Sequence, residues 1–117
     1  TVAHIHDGFA GTNGGVNLDL FQDTTDTTLW STAAGATLDA AGLASFAAGG
    51  LYFNVHTTAN PAGEVRGQIA PGNITVTRNL LDGSQEVPPV TTTASGIGYT
   101  TVDEGTGSIV ANARTTA

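Results

Sequence analysis

Gly50-Leu51-Tyr52-Phe53-Asn54-Val55-His56-Thr57-Thr58-Ala59-Asn60-Pro61-Ala62-Gly63-Glu64-Val65-Arg66-Gly67-Gln68-Ile69 is the stretch from which the fold is read. Over residues 51–57 the side chains alternate. Leu51, Phe53 and Val55 fall on one face of a strand, Tyr52, Asn54 and His56 on the other, because successive strand residues point to opposite faces. Asn60-Pro61 and Gly63 break the run, and residues 64–69 return. That order predicts a β-hairpin whose connection is longer than two residues.

Outward from this hairpin the same pattern recurs. Residues 2–6 alternate, with Val2, His4 and His6 on one face and Ala3 and Ile5 on the other. Val16, Leu18 and Leu20 alternate with Asn17, Asp19 and Phe21. Residues 74–78 read as a strand, residues 79–84 as a turn region, and residues 96–102 and 108–113 as a second hairpin. Residues 37–48 are the one good helix candidate, with Thr37 as cap, Asp39 at the positive end of the dipole and Gly49-Gly50 as the stop. Leu38, Leu43 and Phe46 are expected to face the core. The expected fold is all-β, a Greek-key β-sandwich or barrel of immunoglobulin-like kind, with one short helix over about 38–48.

Composition narrows the function. The 117 residues suit one domain. There is no Cys, so neither a disulfide nor a thiolate metal site can form. Three Arg against ten acids, for a net charge of −7, supply no basic stripe for nucleic acid. No apolar run is long enough to span a bilayer. Abundant Thr suits exposed strand faces. A Thr-rich, sulfur-free, weakly charged chain points to an extracellular or cell-surface setting.

The histidines are the foremost candidates for chemistry. His4-x-His6 places two imidazoles on one face of a strand, and His56 faces away from Leu51, Phe53 and Val55 on another. If the two strands are neighbours, the three rings can meet on one Cu(II), Zn(II) or Ni(II) ion, with Glu64 as a ligand or as an orienting group. The alternative is that these rings only hold strands and loops by hydrogen bonds. Asp7, Asp19, Asp23, Asp26 and the pair Asp103-Glu104 are loop oxygens of the kind Ca²⁺ takes, but no EF-hand pattern organises them. Arg66, one of so few cations, is read as a loop anchor, paired with Glu64, with Glu86 or with carbonyls. Asn73-Ile74-Thr75 is a glycosylation sequon. No G-x-S-x-G, P-loop or dinucleotide fingerprint occurs, and the chain is not expected to be an enzyme.

Three motifs extend over most of the chain: Ala3-His4-Ile5-His6-Asp7-Gly8, the quoted stretch, and Leu81-Asp82-Gly83-Ser84-Gln85-Glu86-Val87-Pro88-Pro89. Together they resemble the CHRD family, the chordin-type domain, but with the halves in permuted order. Residues 1–80 correspond to the C-terminal half of the family pattern and residues 81–117 to its N-terminal half. Residues 108–117 run into Thr1-Val2-Ala3-His4 almost without a seam. The 1–117 unit is thus expected to be either one period of a tandem array or a permuted subunit that completes a neighbouring copy. The function expected is a structural one: an extracellular filament or surface assembly of self-copies joined head to tail by shared strands, with Gly96, Tyr99, Val102, Ile109 and Val110 at the joint. The alternative is an extracellular module that binds protein, as the resemblance implies, or metal through His4, His6 and His56, as their spacing suggests. His4-x-His6 is similar to the copper strand of Cu/Zn superoxide dismutase, yet three His cannot build that binuclear site.

Overall fold

The computed structural model describes residues 1–116, so the expected junction at Ala117 lies outside the described residues. Eight strands and one α-helix follow in the order β1 (Val2–Asp7), β2 (Val16–Gln22), β3 (Trp30–Ser31), α1 (Ala40–Ala48), β4 (Leu51–His56), β5 (Val65–Ile69), β6 (Ile74–Asp82), β7 (Ser95–Asp103) and β8 (Ile109–Thr115). They form two antiparallel sheets, β3-β2-β1-β4-β5 and β6-β7-β8. The fold is therefore all-β with one short helix, as the alternation indicates.

Register places the two faces of the larger sheet. β1 pairs with β4 so that Val2 lies opposite His56, His4 opposite Asn54 and His6 opposite Tyr52. Directly opposed residues share a face, so every histidine stands on one side of the sheet, next to Arg66 and Gln68 of β5, which oppose Asn54 and Tyr52. The other side carries Ile5, Leu18, Leu20, Phe53, Val55 and Val65. A bulge between Ile5 and His6 skips Asn17, since Ile5 opposes Leu18 but His6 opposes Val16. Such a bulge re-aims the strand beside it.

The helix differs from expectation in two ways. Its cap is Asp39, not Thr37: Asp39 Oδ1 accepts from Gly42 N at 2.7 Å. Asp is at least as good a cap as Thr and stands two residues closer to the periodic segment. Its core-facing residue is Gly42, while Leu43 and Phe46 are exposed, because the helix approaches the sheet closely on its glycine side. The predicted stop is found: Gly49 is left-handed (φ 77°), and Gly49 N and Gly50 N close on Phe46 O and Ser45 O.

The second sheet also corrects the sequence reading. Residues 79–82 are not a turn: β6 continues through Asn79, Leu80 and Leu81 to Asp82. The turn begins only at Gly83, where Asp82 accepts from Ser84 N. The β7–β8 hairpin is not without a partner in its own chain, because β6 pairs along the whole of β7. β6 also crosses the 80/81 boundary between the two family halves. One face of this sheet bears Ile74, Val76, Ile97, Tyr99, Thr101 and Val110, the other Leu81, Gly96, Val102, Ile109, Ala111 and Ala113.

The sheets meet at one end. Ile74 and Thr101 close over Gly49, and Asn112 Nδ2 donates to Ala10 O at 2.7 Å. Beside this contact a cleft of about 650 Å³ opens between Arg66 and Gln68 on one side and Tyr99, Ile97 and Arg114 on the other. Among the described residues the buried apolar side chains are few: Ala3, Ala10, Leu51, Tyr52 and Ile74. The radius of gyration is 17.2 Å, against about 13 Å for a compact domain of this length.

Gly49 is where the two sheets depend on a single backbone atom. A methyl there would lie 2.6 Å from Ile74 Cγ2, in a left-handed residue. Gly49→Ala is expected to lower unfolding stability by roughly 1–3 kcal/mol from overpacking, measured as the urea midpoint. Gly35→Ala, also left-handed but with open space around it, should cost only the backbone strain, about 1–2 kcal/mol, which Gly49→Ala bears in addition to its overpacking.

Candidate metal centre

β1 and β4 are neighbours, so His4, His6 and His56 meet. Ring centroids are 5.1 Å (His4–His56), 5.3 Å (His4–His6) and 5.4 Å (His6–His56) apart. One ligand atom from each ring lies within 4.8 Å of the others. The condition set at the sequence level is met in full, and among the described residues this is the group of His, Cys, Asp or Glu side chains with metal-ligand spacing.

The hydrogen bonds decide which nitrogens are free. His6 Nδ1 donates to Gly14 O at 2.9 Å, and His56 Nδ1 donates to Pro61 O at 3.1 Å. A carbonyl oxygen only accepts, so each Nδ1 carries the proton and each Nε2 in the neutral ring is a lone pair. These two Nε2 atoms face each other at 3.3 Å with no proton between them. His4 Nε2 lies 3.7 Å from Asp19 Oδ1, and His4 Nδ1 is buried without a partner. The carboxylate favours the proton on Nε2, which leaves Nδ1 as the third lone pair. An orphaned buried nitrogen costs about 1–3 kcal/mol. A cation among the three would relieve all of it, and rings oriented from behind by carbonyls and a carboxylate are the usual outer layer of metal-ligating histidines. The triad could hold a metal.

The loop between β1 and β2 sets this geometry. Arg66 Nη1 donates to Thr12 O at 2.6 Å and Nη2 to Phe9 O at 3.1 Å, with Asn13 Oδ1 at 3.3 Å. Arg66 is thus a loop anchor, as expected, but its partners are carbonyls, not Glu64 or Glu86. Its guanidinium carbon stands 3.4 Å from the centroid of the Tyr52 ring, which in turn stacks on His6 at 5.1 Å and 15°. Tyr52 OH accepts from Gly14 N at 3.1 Å. Gln68, which the sequence reading passed over, donates to Gly8 O at 2.8 Å and Gly49 O at 2.9 Å. Its signal was present: an amide on the same strand face as Arg66, two residues on.

Other candidates are not drawn together. Glu64 neither joins the imidazoles nor orients one; Gly14 O, Pro61 O and Asp19 take that role. The loop acids are committed locally. Asp23 accepts from Thr25 and Asp26 N, Asp26 from Thr28, Asp103 from Gly105 N and Thr106 N, and Asp7 from Asn17 Nδ2. Hydrogen bonds from Asp26 N and Thr25 hold the Asp23 carboxyl below its usual range, and those from Thr28 do the same for Asp26. Asn73 is exposed at the start of β6.

Burial, with the charges of His56 and His6, pushes the His4 imidazole below its ordinary pKa, and Asp19 opposes the shift. The unfolded chain therefore binds the proton first as pH falls. Stability of the metal-free protein should be complete above about pH 6.5 and decline below it, read as urea midpoints with a chelator present. His4→Asn should flatten that decline. A side chain at Gly14 would collide with the Asp7 carbonyl. Gly14→Ala is therefore expected to displace the acceptor of His6 and weaken metal affinity by roughly 10–100-fold, measured by chelator competition.

The profile of the CHRD domain matches residues 1–69, the segment that contains all three histidines, Tyr52, Arg66 and Gln68. CHRD domains are found generally in secreted proteins. No curated protein matches the chain, and no solved structure does. With its larger sheet, its imidazole face and its loop anchor all inside the matched segment, the chain belongs to the CHRD family.

Proposed function

We propose that the chain is a non-catalytic, extracellular building block whose copies join head to tail, each completing the β-sandwich of its neighbour by sharing strands. The observation that carries this reading is the bare apolar side of the larger sheet. Phe53 and Val65 there are 48% and 61% exposed, although side chains of that kind line the inner face of a sandwich. The small sheet of the same chain reaches outward and bears a second open face. That face holds Gly96, Val102 and Ile109 of the expected joint, together with Leu81, whereas Tyr99 and Val110 belong to the opposite face.

Area supports a second copy as the occupant. The chain exposes 7547 Å², about 1,600 Å² more than the ~5,900 Å² typical of a compact monomer of this mass. A head-to-tail subunit has two joints, and a standard joint covers about 800 Å² on each partner. Among the described residues the sheet edges are β3, β5, β6 and β8, and the longer of these are further sites for strand addition. A repeating contact of this kind gives a filament unless its rotation closes a ring.

A second reading is compatible with the first: the imidazole face captures Cu(II) or Zn(II). The facing lone pairs of His6 and His56 and the orphaned His4 Nδ1 favour it. Ca²⁺ is a poorer match for a nitrogen donor set.

Sedimentation and electron microscopy of the full chain test the assembly. Wild type should form long polymers. Phe53→Asp and Ile109→Asp, both at exposed positions, should remain monomers of 11.7 kDa with unchanged far-UV circular dichroism. A monomeric wild type, or variants that polymerise equally well, would refute the reading. For the metal, Zn(II) and Cu(II) binding that survives His56→Ala would refute capture by the triad.

A further inference from the structure

We infer that the imidazole centre is built for a four-coordinate, tetrahedral ion of the Zn(II) type, with three protein nitrogens and the fourth position left to an exchangeable water or small anion. The inference rests on the metal reading above and assigns its donor atoms: His4 Nδ1, His6 Nε2 and His56 Nε2.

The distance between the two fixed donors carries the geometry. At a metal–nitrogen bond of about 2.05 Å, two ligands 3.3 Å apart subtend about 107° at the ion, the tetrahedral angle within error. A right angle, as in a tetragonal Cu(II) site, would need the nitrogens at about 2.9 Å. These two donors are the ones held from behind, by Gly14 O and Pro61 O. Closing them to a right angle would stretch both of those hydrogen bonds, whereas the tetrahedral separation leaves them as they are. His4 is the adjustable ligand. Its side chain is 20% exposed and its partner Asp19 is 67% exposed, so it is the ring free to turn toward the other two.

The open position follows from what is missing around the ion. Among the described residues no fourth His, Cys, Asp or Glu joins the group, and Asp19 stands behind His4, on its Nε2 side. The cluster lies on a sheet face with two partly exposed members, His4 and His56, so solvent reaches it. Asn54 Oδ1 is the other buried side-chain atom without a partner. Its residue lies directly opposite His4 on the same face. Among the described residues, the two buried side-chain atoms without a partner thus belong to directly opposed residues on the histidine face.

Co(II) substitution tests the assignment, because its visible d–d bands are intense in tetrahedral and weak in octahedral surroundings. The full chain is loaded with Co(II), its spectrum recorded, and azide titrated in. Expected are intense bands that shift on azide addition, are displaced by one equivalent of Zn(II), and are lost in His56→Ala and His6→Gln. His6→Gln and His56→Ala are checked for folding by circular dichroism. Weak, octahedral bands from a stoichiometric complex would overturn the tetrahedral assignment but leave metal capture standing. Intense bands indifferent to azide would overturn the open position. No Co(II), Zn(II) or Cu(II) bound at all would remove the metal reading itself.

Discussion

The Arg66 guanidinium laid over the Tyr52 ring is the contact from which the rest of the site hangs. A cation over an aromatic face contributes only about 0.5–1 kcal/mol where solvent has access. Its importance is positional. With one side on Tyr52, the guanidinium fork still has donors for Thr12 O and Phe9 O, so a loop of Gly, Asn and Thr acquires a fixed course. Tyr52 adds its own bond to Gly14 N. The loop then returns an acceptor, Gly14 O, to His6. A Lys at position 66 could place a charge there but not a planar fork.

The same arrangement concentrates unfavourable terms in one place. Three imidazoles sit with ring centroids 5.1–5.4 Å apart, one of them with a buried, unpartnered nitrogen. A stable core does not need such a cluster, and an apolar trio would pack there at less cost. Local consistency is expected to fail at functional sites more than elsewhere. On the opposite side of the sheet the inconsistency is of another kind: apolar side chains face water. Both anomalies lie on one five-stranded sheet, one on each face.

Local alternation was legible wherever a strand has one constrained face. Val2, His4 and His6 read as coplanar from spacing alone, as did Tyr52, Asn54 and His56. Turn chemistry was equally readable at Asn60-Pro61 and Gly49-Gly50. The errors arose where two local signals competed. Thr37 and Asp39 are both caps, and close packing at Gly42 chose the later one. Asn79 and Asp82 are turn formers, yet β7 offered a complete ladder through Asn79, so the strand ran on and the turn moved to Gly83. For Gln68 the sequence offered only its place on the Arg66 face; its two carbonyl partners, Gly8 O and Gly49 O, come from distant loops.

The residue order by itself determined the all-β class, the two faces of β1 and β4, and the set of three histidines able to act together. Those properties follow from the period of two along a strand, which is local. Only the tertiary structure decided that β1 lies beside β4 in the register that opposes Val2 to His56, because pairing joins segments some fifty positions apart and no local period encodes a partner. It also decided which imidazole nitrogens are free. That choice depends on two carbonyls, Gly14 O and Pro61 O, whose positions come from loop closure and not from the histidines themselves.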